Sequence, residues 1–129
     1  MSLNSSARTS FVTGTIILAL AVLIGAFGAH GIKNLVAPER LVTFETGVRY
    51  HFYHGFGLIL IALTQQLLPT IRLQIASVCF VSGILFFSLN CYAYVLSDMK
   101  IFAMLVPIGG VLFMIGWLSF AWRTLKFRN

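Results

Sequence analysis

The side chains in this sequence with the chemistry to bind or react are its three histidines, His30, His51 and His54, an acid and a base at Glu45 and Arg49, and Asn90. Imidazole suits zinc, copper and iron, so three histidines first suggest a metal. The spacing argues against one. His51 and His54 are only three apart, and neither a His-Glu-x-x-His nor a Cys-x-x-Cys pattern accompanies them. At 100° per residue, His54 lies about 140° around a helix from Arg49, so the two occupy different surfaces. Glu45 and Arg49 are four apart with the acid first, the better order for a helical ion pair. Serines are present, but nothing in their placement implies a Ser/His/Asp arrangement. Gly109-Gly110 lacks the Lys-Ser/Thr that follows a phosphate-binding loop. These residues predict no catalysis, no metal and no cofactor.

The elements that must position them are read from where charge is missing. Thr9–Ile32, Tyr50–Ile71, Leu73–Ser97 and Ile101–Trp122 hold no Asp, Glu, Lys or Arg. Each reaches the roughly 20 residues a membrane span needs. Composition agrees: of 129 residues, 59% are hydrophobic and only 9% charged, against about 25% charged in a soluble domain. A soluble fold this short has too little interior to hide so much apolar side chain. The expected fold is an all-α membrane protein: a single domain over 1–129, with four transmembrane helices near 11–29, 50–68, 74–96 and 101–122 in an antiparallel bundle. Phe11–Ile24 followed by Ala26-Phe27-Gly28 also fits a cleaved secretory signal, but that reading leaves a glycine face unexplained.

Gly31–Arg49 reads as more than a loop. Pro38 suits a first helical turn, and Leu41, Phe44, Val48 and Phe52 recur at helical spacing. One helix from Pro38 to Leu68 would be about 46 Å long, well beyond the hydrocarbon core of about 30 Å. An interfacial helical segment between the first and second spans is therefore expected, bending at Gly47. Pro69 ends the second span, and Ser97-Asp98-Met99-Lys100 forms a tight turn before the fourth.

Small residues predict the packing. Gly14, Ala21, Gly25 and Gly28 line one side of the first span. In the fourth, Pro107 introduces a bend, and Gly109, Gly110 and Gly116 offer close approach. Such faces suit a second copy or a larger membrane complex as partner, beside the lipid bilayer itself. In this setting the histidines sit at headgroup level or bond a backbone carbonyl, with a quinone, lipid-headgroup or metal site as the sharper alternative. Glu45 and Arg49 read as an interfacial anchor. Asn90 is expected to bond across helices. Cys79 and Cys91 would stand about 18 Å apart on one helix, too far for a disulfide.

The net charge of +6 excludes little by itself, but the basic residues lie between and beyond apolar runs rather than along a groove, which argues against nucleic acid. Arg8, Arg72, Arg123, Lys126 and Arg128 fall on one side of the membrane, and Lys33, Arg40, Arg49 and Lys100 on the other with all three acids. The cluster after the fourth span points both termini to the cytoplasm.

Four segments, in order, resemble the YgdD-like family of small bacterial inner-membrane proteins. They are Gly25-Ala26-Phe27-Gly28-Ala29-His30-Gly31, Phe44-Glu45-Thr46-Gly47-Val48-Arg49-Tyr50 with His54, Ser82-Gly83-Ile84-Leu85-Phe86-Phe87-Ser88, and Pro107-Ile108-Gly109-Gly110 with Gly116-Trp117. The resemblance covers nearly the whole chain. It departs at His51, where the family usually has glutamine. It implies four spans and a multi-pass place in the plasma membrane, but no reaction. Function is then expected to be structural or accessory, with small-ligand binding as the alternative and an oligomeric transporter or channel ranked last.

Overall fold

The computed structural model describes residues 4–127, all of the regular structure among them helical. Helices α1 (Ser5–Phe27), α2 (Pro38–Leu67), α3 (Gln74–Phe86), α4 (Ser88–Ser97) and α5 (Lys100–Leu125) follow in order, with a π-helical turn at Gly28–Ile32 extending α1. Arg128 lies outside the described residues. Asn4 caps α1 by accepting a bond from the Ala7 N–H at 2.7 Å, and Pro38 opens α2 where its missing N–H costs nothing.

Three helices are long and apolar enough to cross a membrane: Ser5–Ile32, Gln74–Ser97 taken as one, and Lys100–Leu125. The longest helix, α2, has 30 residues and does not pass as a span by composition, because polar side chains dilute its apolar run. It is unbroken through Gly47, which is buried against Ser88, Cys91 and Tyr92. The segment expected to lie along the interface is therefore the start of α2 itself. Phe44 packs on Tyr92 with ring centroids 5.0 Å apart and holds these turns against α4.

The α1–α2 and α3–α5 pairs run antiparallel. Along α1 and α2, Asn4 meets Gln65, Gly14 meets Gly55, and Gly28 meets Phe44. A methyl group at Gly14 would stand 3.1 Å from the Gly55 carbonyl oxygen. Along α3 and α5, Gly116 takes the Phe80 ring and Gly83 the Phe113 ring. The arrangement is more open than a closed bundle. α1 packs mainly on α2 and α5 mainly on α3 and α4, while α2 joins the two halves. The small faces foreseen for an outside partner at Gly14, Ala21, Gly28, Gly109 and Gly116 are buried by the chain's own helices. Gly25 is half-buried, Gly110 is loosely packed and Pro107 is exposed.

The third apolar run is interrupted at Phe87, between α3 and α4. We attribute this to the close approach of α5, where a Cβ added at Gly109 would stand within 2.8 Å of the Phe87 amide nitrogen, Phe87 Cβ and the carbonyl carbon of Phe86. Asn90 repairs the interruption: its Nδ2 donates to the carbonyls of Leu85 and Phe86, both at 3.0 Å. Asn90 thus turns back on its own helix, contrary to the expected bond across helices. A released carbonyl in an apolar setting is costly, and the amide is the nearest donor. Cys79 and Cys91 are both free and buried.

Candidate functional site

The inward face of α2 is a strict heptad stripe. Phe44, Gly47, His51, His54, Leu58, Ile61 and Gln65 follow in alternating steps of three and four, and all are buried. Three polar side chains are thereby turned inward at three levels, and each has found partners in the protein.

His54 occupies the middle level. Its ring lies on Phe113, near the centre of α5, with centroids 3.4 Å apart and planes within 6°, and Phe80 meets it edge-on at 5.2 Å. Its Nδ1 is 2.8 Å from the Tyr50 carbonyl, and the Trp117 indole N–H donates to its Nε2 at 3.1 Å. A carbonyl only accepts and an indole N–H only donates, so the neutral tautomer with hydrogen on Nδ1 is required. His51, one turn toward the start of α2, sets its Nδ1 3.1 Å from the Tyr92 hydroxyl.

Gln65 organises the opposite end. Its Nε2 donates to Ser6 Oγ at 2.9 Å, its Oε1 accepts from Ser10 Oγ at 3.2 Å, and its backbone carbonyl accepts from Asn4 Nδ2 at 2.7 Å. Ser10 in turn lies 3.4 Å from the Ser77 hydroxyl of α3. Sequence reasoning missed this clasp. The signal was present, because Gln65 continues the heptad phase set by Phe44.

The structure does not bring the other foreseen residues to these histidines. His30 is exposed on the π-helical turn, and Glu45 and Arg49 are exposed on α2. The expected Glu45–Arg49 ion pair is not formed; Arg49 Nη2 donates to Thr46 Oγ1 at 3.2 Å. The one ion pair among the described residues joins Arg40 to Asp98, with Arg40 also over the Tyr94 ring at 5.8 Å. The hydrogen bond from Arg40, helped by its charge, holds the Asp98 carboxyl below its ordinary range and raises Arg40 in return. Asp98 sits at φ 60° after α4, a left-handed position that aspartate tolerates better than most residues.

Two cavities bear on function. A groove of about 720 Å³ between α2 and α5 is walled by Tyr50, Tyr53, His54, Phe87, Phe113 and Trp117. A smaller one of about 310 Å³ lies between α2 and the end of α1, lined by Gly25, Gly28, Ala29 and Phe44 with Glu45 and Arg49. Among the described residues no three His, Cys, Asp or Glu side chains come together as a metal would require.

Known proteins agree with a membrane setting. Residues 24–110 match a family described as "Protein of unknown function (DUF423)". A UPF0382 membrane protein of Staphylococcus epidermidis is 38% identical over 120 residues, covering 93% of this chain and 98% of the relative. UPF0382 membrane protein SAB0533 of Staphylococcus aureus is 36% identical over 116 residues, 90% and 94% of the two chains. YwdK of Bacillus subtilis, also a UPF0382 membrane protein, is 34% identical over 121 residues, 93% and 98% of the two chains. No solved structure matches.

Proposed function

The chain belongs to the DUF423 family of uncharacterised membrane proteins, and from that premise we propose that it is a structural or accessory component of the bacterial plasma membrane, crosses the bilayer four times and catalyses nothing. One observation carries the reading. The inward polar side chains of α2 are spent within the protein: His54 on the Tyr50 carbonyl and Trp117, His51 on Tyr92, Gln65 on the α1 serines, while Ser88 Oγ on α4 is the one buried side-chain polar atom without a partner among the described residues. A group that binds or reacts needs a free lone pair or proton, and His54 has neither left.

The fourth crossing is α2. It runs antiparallel to α1 over the full length of that helix, and it turns His51, His54 and Gln65 inward while Phe56, Leu60 and Leu63 face out. That is how a polar-bearing helix is tolerated in lipid. Both termini belong in the cytoplasm on this reading, since Arg8, Arg72, Arg123 and Lys126 gather at one end. The glycine-rich segment at 25–31 and the 44–50 segment support kinship with YgdD-like inner-membrane proteins.

Native mass spectrometry from mild detergent, with elemental analysis of the same sample, tests the proposal. The expected result is a protein free of metal and of stoichiometric redox cofactor. A second reading, an aromatic-ring ligand in the 720 Å³ groove, is favoured by the ring-lined walls around His54. A metal or quinone that co-purifies and is lost in His54→Ala would replace the structural proposal with that one.

A further inference from the structure

We propose that the cavity between α2 and the end of α1 holds the headgroup of a zwitterionic phospholipid, with Arg49 on the phosphate and Glu45 on the ammonium. The inference goes beyond the accessory role and rests on the part of that reading in which α2 crosses the bilayer.

The charges come first. Glu45 and Arg49 line the same cavity, of about 310 Å³, yet they do not pair with each other. Arg49 makes only a bond to the Thr46 hydroxyl, and the Glu45 carboxylate has no partner among the described residues. Two opposite charges side by side and uncommitted are complementary to a ligand that carries both signs. Their Cβ atoms, one turn apart, are separated by about 5–6 Å. A phosphate and an ammonium two carbons beyond it span a comparable distance.

Depth fixes which way round the ligand sits. His54 stands level with the middle of α5. At 1.5 Å per residue, Arg49 lies about 8 Å from that level and Glu45 about 14 Å, toward the start of α2. Half the hydrocarbon thickness is about 15 Å. The cation is therefore the deeper group and the anion the outer one. A phospholipid headgroup has the matching order, phosphate nearer the glycerol and ammonium toward water. A long arginine side chain reaches outward to the phosphate level while its stem stays in the apolar region.

The surroundings suit the rest of the lipid. Gly25, Gly28 and Ala29 keep the α1 wall free of bulk. Below Arg49, Phe52 and Phe56 continue the same face of α2 with rings stacked 6.5 Å apart, and Leu60 follows, half-exposed. That stripe is a track for one acyl chain.

The test uses the full chain in mild detergent, given equal amounts of phosphatidylethanolamine, phosphatidylcholine and phosphatidylglycerol with identical acyl chains, and read by native mass spectrometry. Wild type is expected to retain the ethanolamine lipid about tenfold over the glycerol lipid, the factor that about 1.4 kcal/mol provides. Glu45→Gln is expected to bring that preference below about twofold while some lipid still binds. Arg49→Gln is expected to lose all three lipids. Both positions are exposed, so unchanged melting in detergent verifies the fold of each variant. No preference in wild type, or a preference that survives Glu45→Gln, overturns the site. The crossing beneath it is checked separately with single cysteines at Leu35 and Thr70 in a background lacking Cys79 and Cys91. Labelling by an impermeant thiol reagent from opposite sides of the membrane upholds the crossing whatever the lipid result. Labelling from one side overturns the crossing and the site together.

Discussion

Adjacent glycines in α5 offer a matched pair of substitutions. Gly109 and Gly110 share the same helix and the same gain in helix propensity on becoming alanine, at most about 1 kcal/mol. Their surroundings differ. A Cβ at Gly109 would sit 2.8 Å from the carbonyl carbon of Phe86 and 2.6 Å from Cβ of Phe87, and closer still to the Phe87 amide. Backbone cannot rotate aside as a side-chain tip can, so α5 has to move away from the α3–α4 interruption. A Cβ at Gly110 would meet only the Phe87 ring, at 3.9 Å, an ordinary contact. Overpacking a tight interface costs about 1–3 kcal/mol. Gly110→Ala should leave stability unchanged or slightly raised, and Gly109→Ala should fall below it by about 1–3 kcal/mol. Detergent-induced unfolding followed by tryptophan fluorescence measures the gap. If the two variants unfold within about 0.5 kcal/mol of each other, α5 does not approach the interruption that closely, and the explanation of the broken helix fails with it.

Other perturbations test separate parts of the molecule. A double-mutant cycle of His54→Phe and Trp117→Phe should give a coupling of about 0.6 kcal/mol, the average for hydrogen bonds between membrane helices, and at most about 1.7 kcal/mol; a coupling near zero would mean that the indole does not hold the imidazole. Gln65→Leu should lower stability by about 1–3 kcal/mol through the stranded Ser6 and Ser10 hydroxyls, and adding Ser6→Ala and Ser10→Ala should recover part of the loss in the same unfolding assay. The Arg40–Asp98 pair stabilises the fold while Asp98 is ionised, because its folded-state affinity for a proton is lowered. Its contribution is full above the ordinary carboxylate value of 3.8 and disappears as the pH falls through the lower folded value. Asp98→Asn should therefore remove that part of the acid dependence of melting; an unchanged acid limb would assign it to other carboxylates.

Much of this architecture was legible in the sequence, because charge marks where apolar helices stop. α1, α5 and the run from Gln74 to Ser97 follow from that alone. What escaped depends on contacts between helices. The interruption at Phe87 is attributed to Gly109 on another element, which a reading of the third run alone does not reveal, and Asn90 reads as an ordinary polar residue until the freed carbonyls are seen. On α2 the stripe through Leu41, Phe44, Val48 and Phe52 was visible, but the buried face is the one through Phe44, Gly47, His51, His54, Leu58, Ile61 and Gln65. Histidine and glutamine at those positions conceal the heptad from a reading by hydrophobicity. The glycines were recognised as contact surfaces, but which helix fills them is a question of chain topology. The Glu45–Arg49 spacing allowed an ion pair that the Thr46 hydroxyl displaced.

The chain of bonds from Trp117 through His54 to the Tyr50 carbonyl also bears on electrical insulation. A charge moved through 100 mV changes energy by about 2.3 kcal/mol, so an energised membrane punishes any stepping stone halfway across. On the proposed four-span reading His54 lies at that depth, where an imidazole with an open lone pair would be such a stone. Here the lone pair is covered by an indole and the other nitrogen by a carbonyl, and Phe113 and Phe80 close the ring from the face and the edge. A proton arriving there has to break the Trp117 bond before it can be held. On that reading the protein keeps a histidine deep in its interior without giving the membrane a leak.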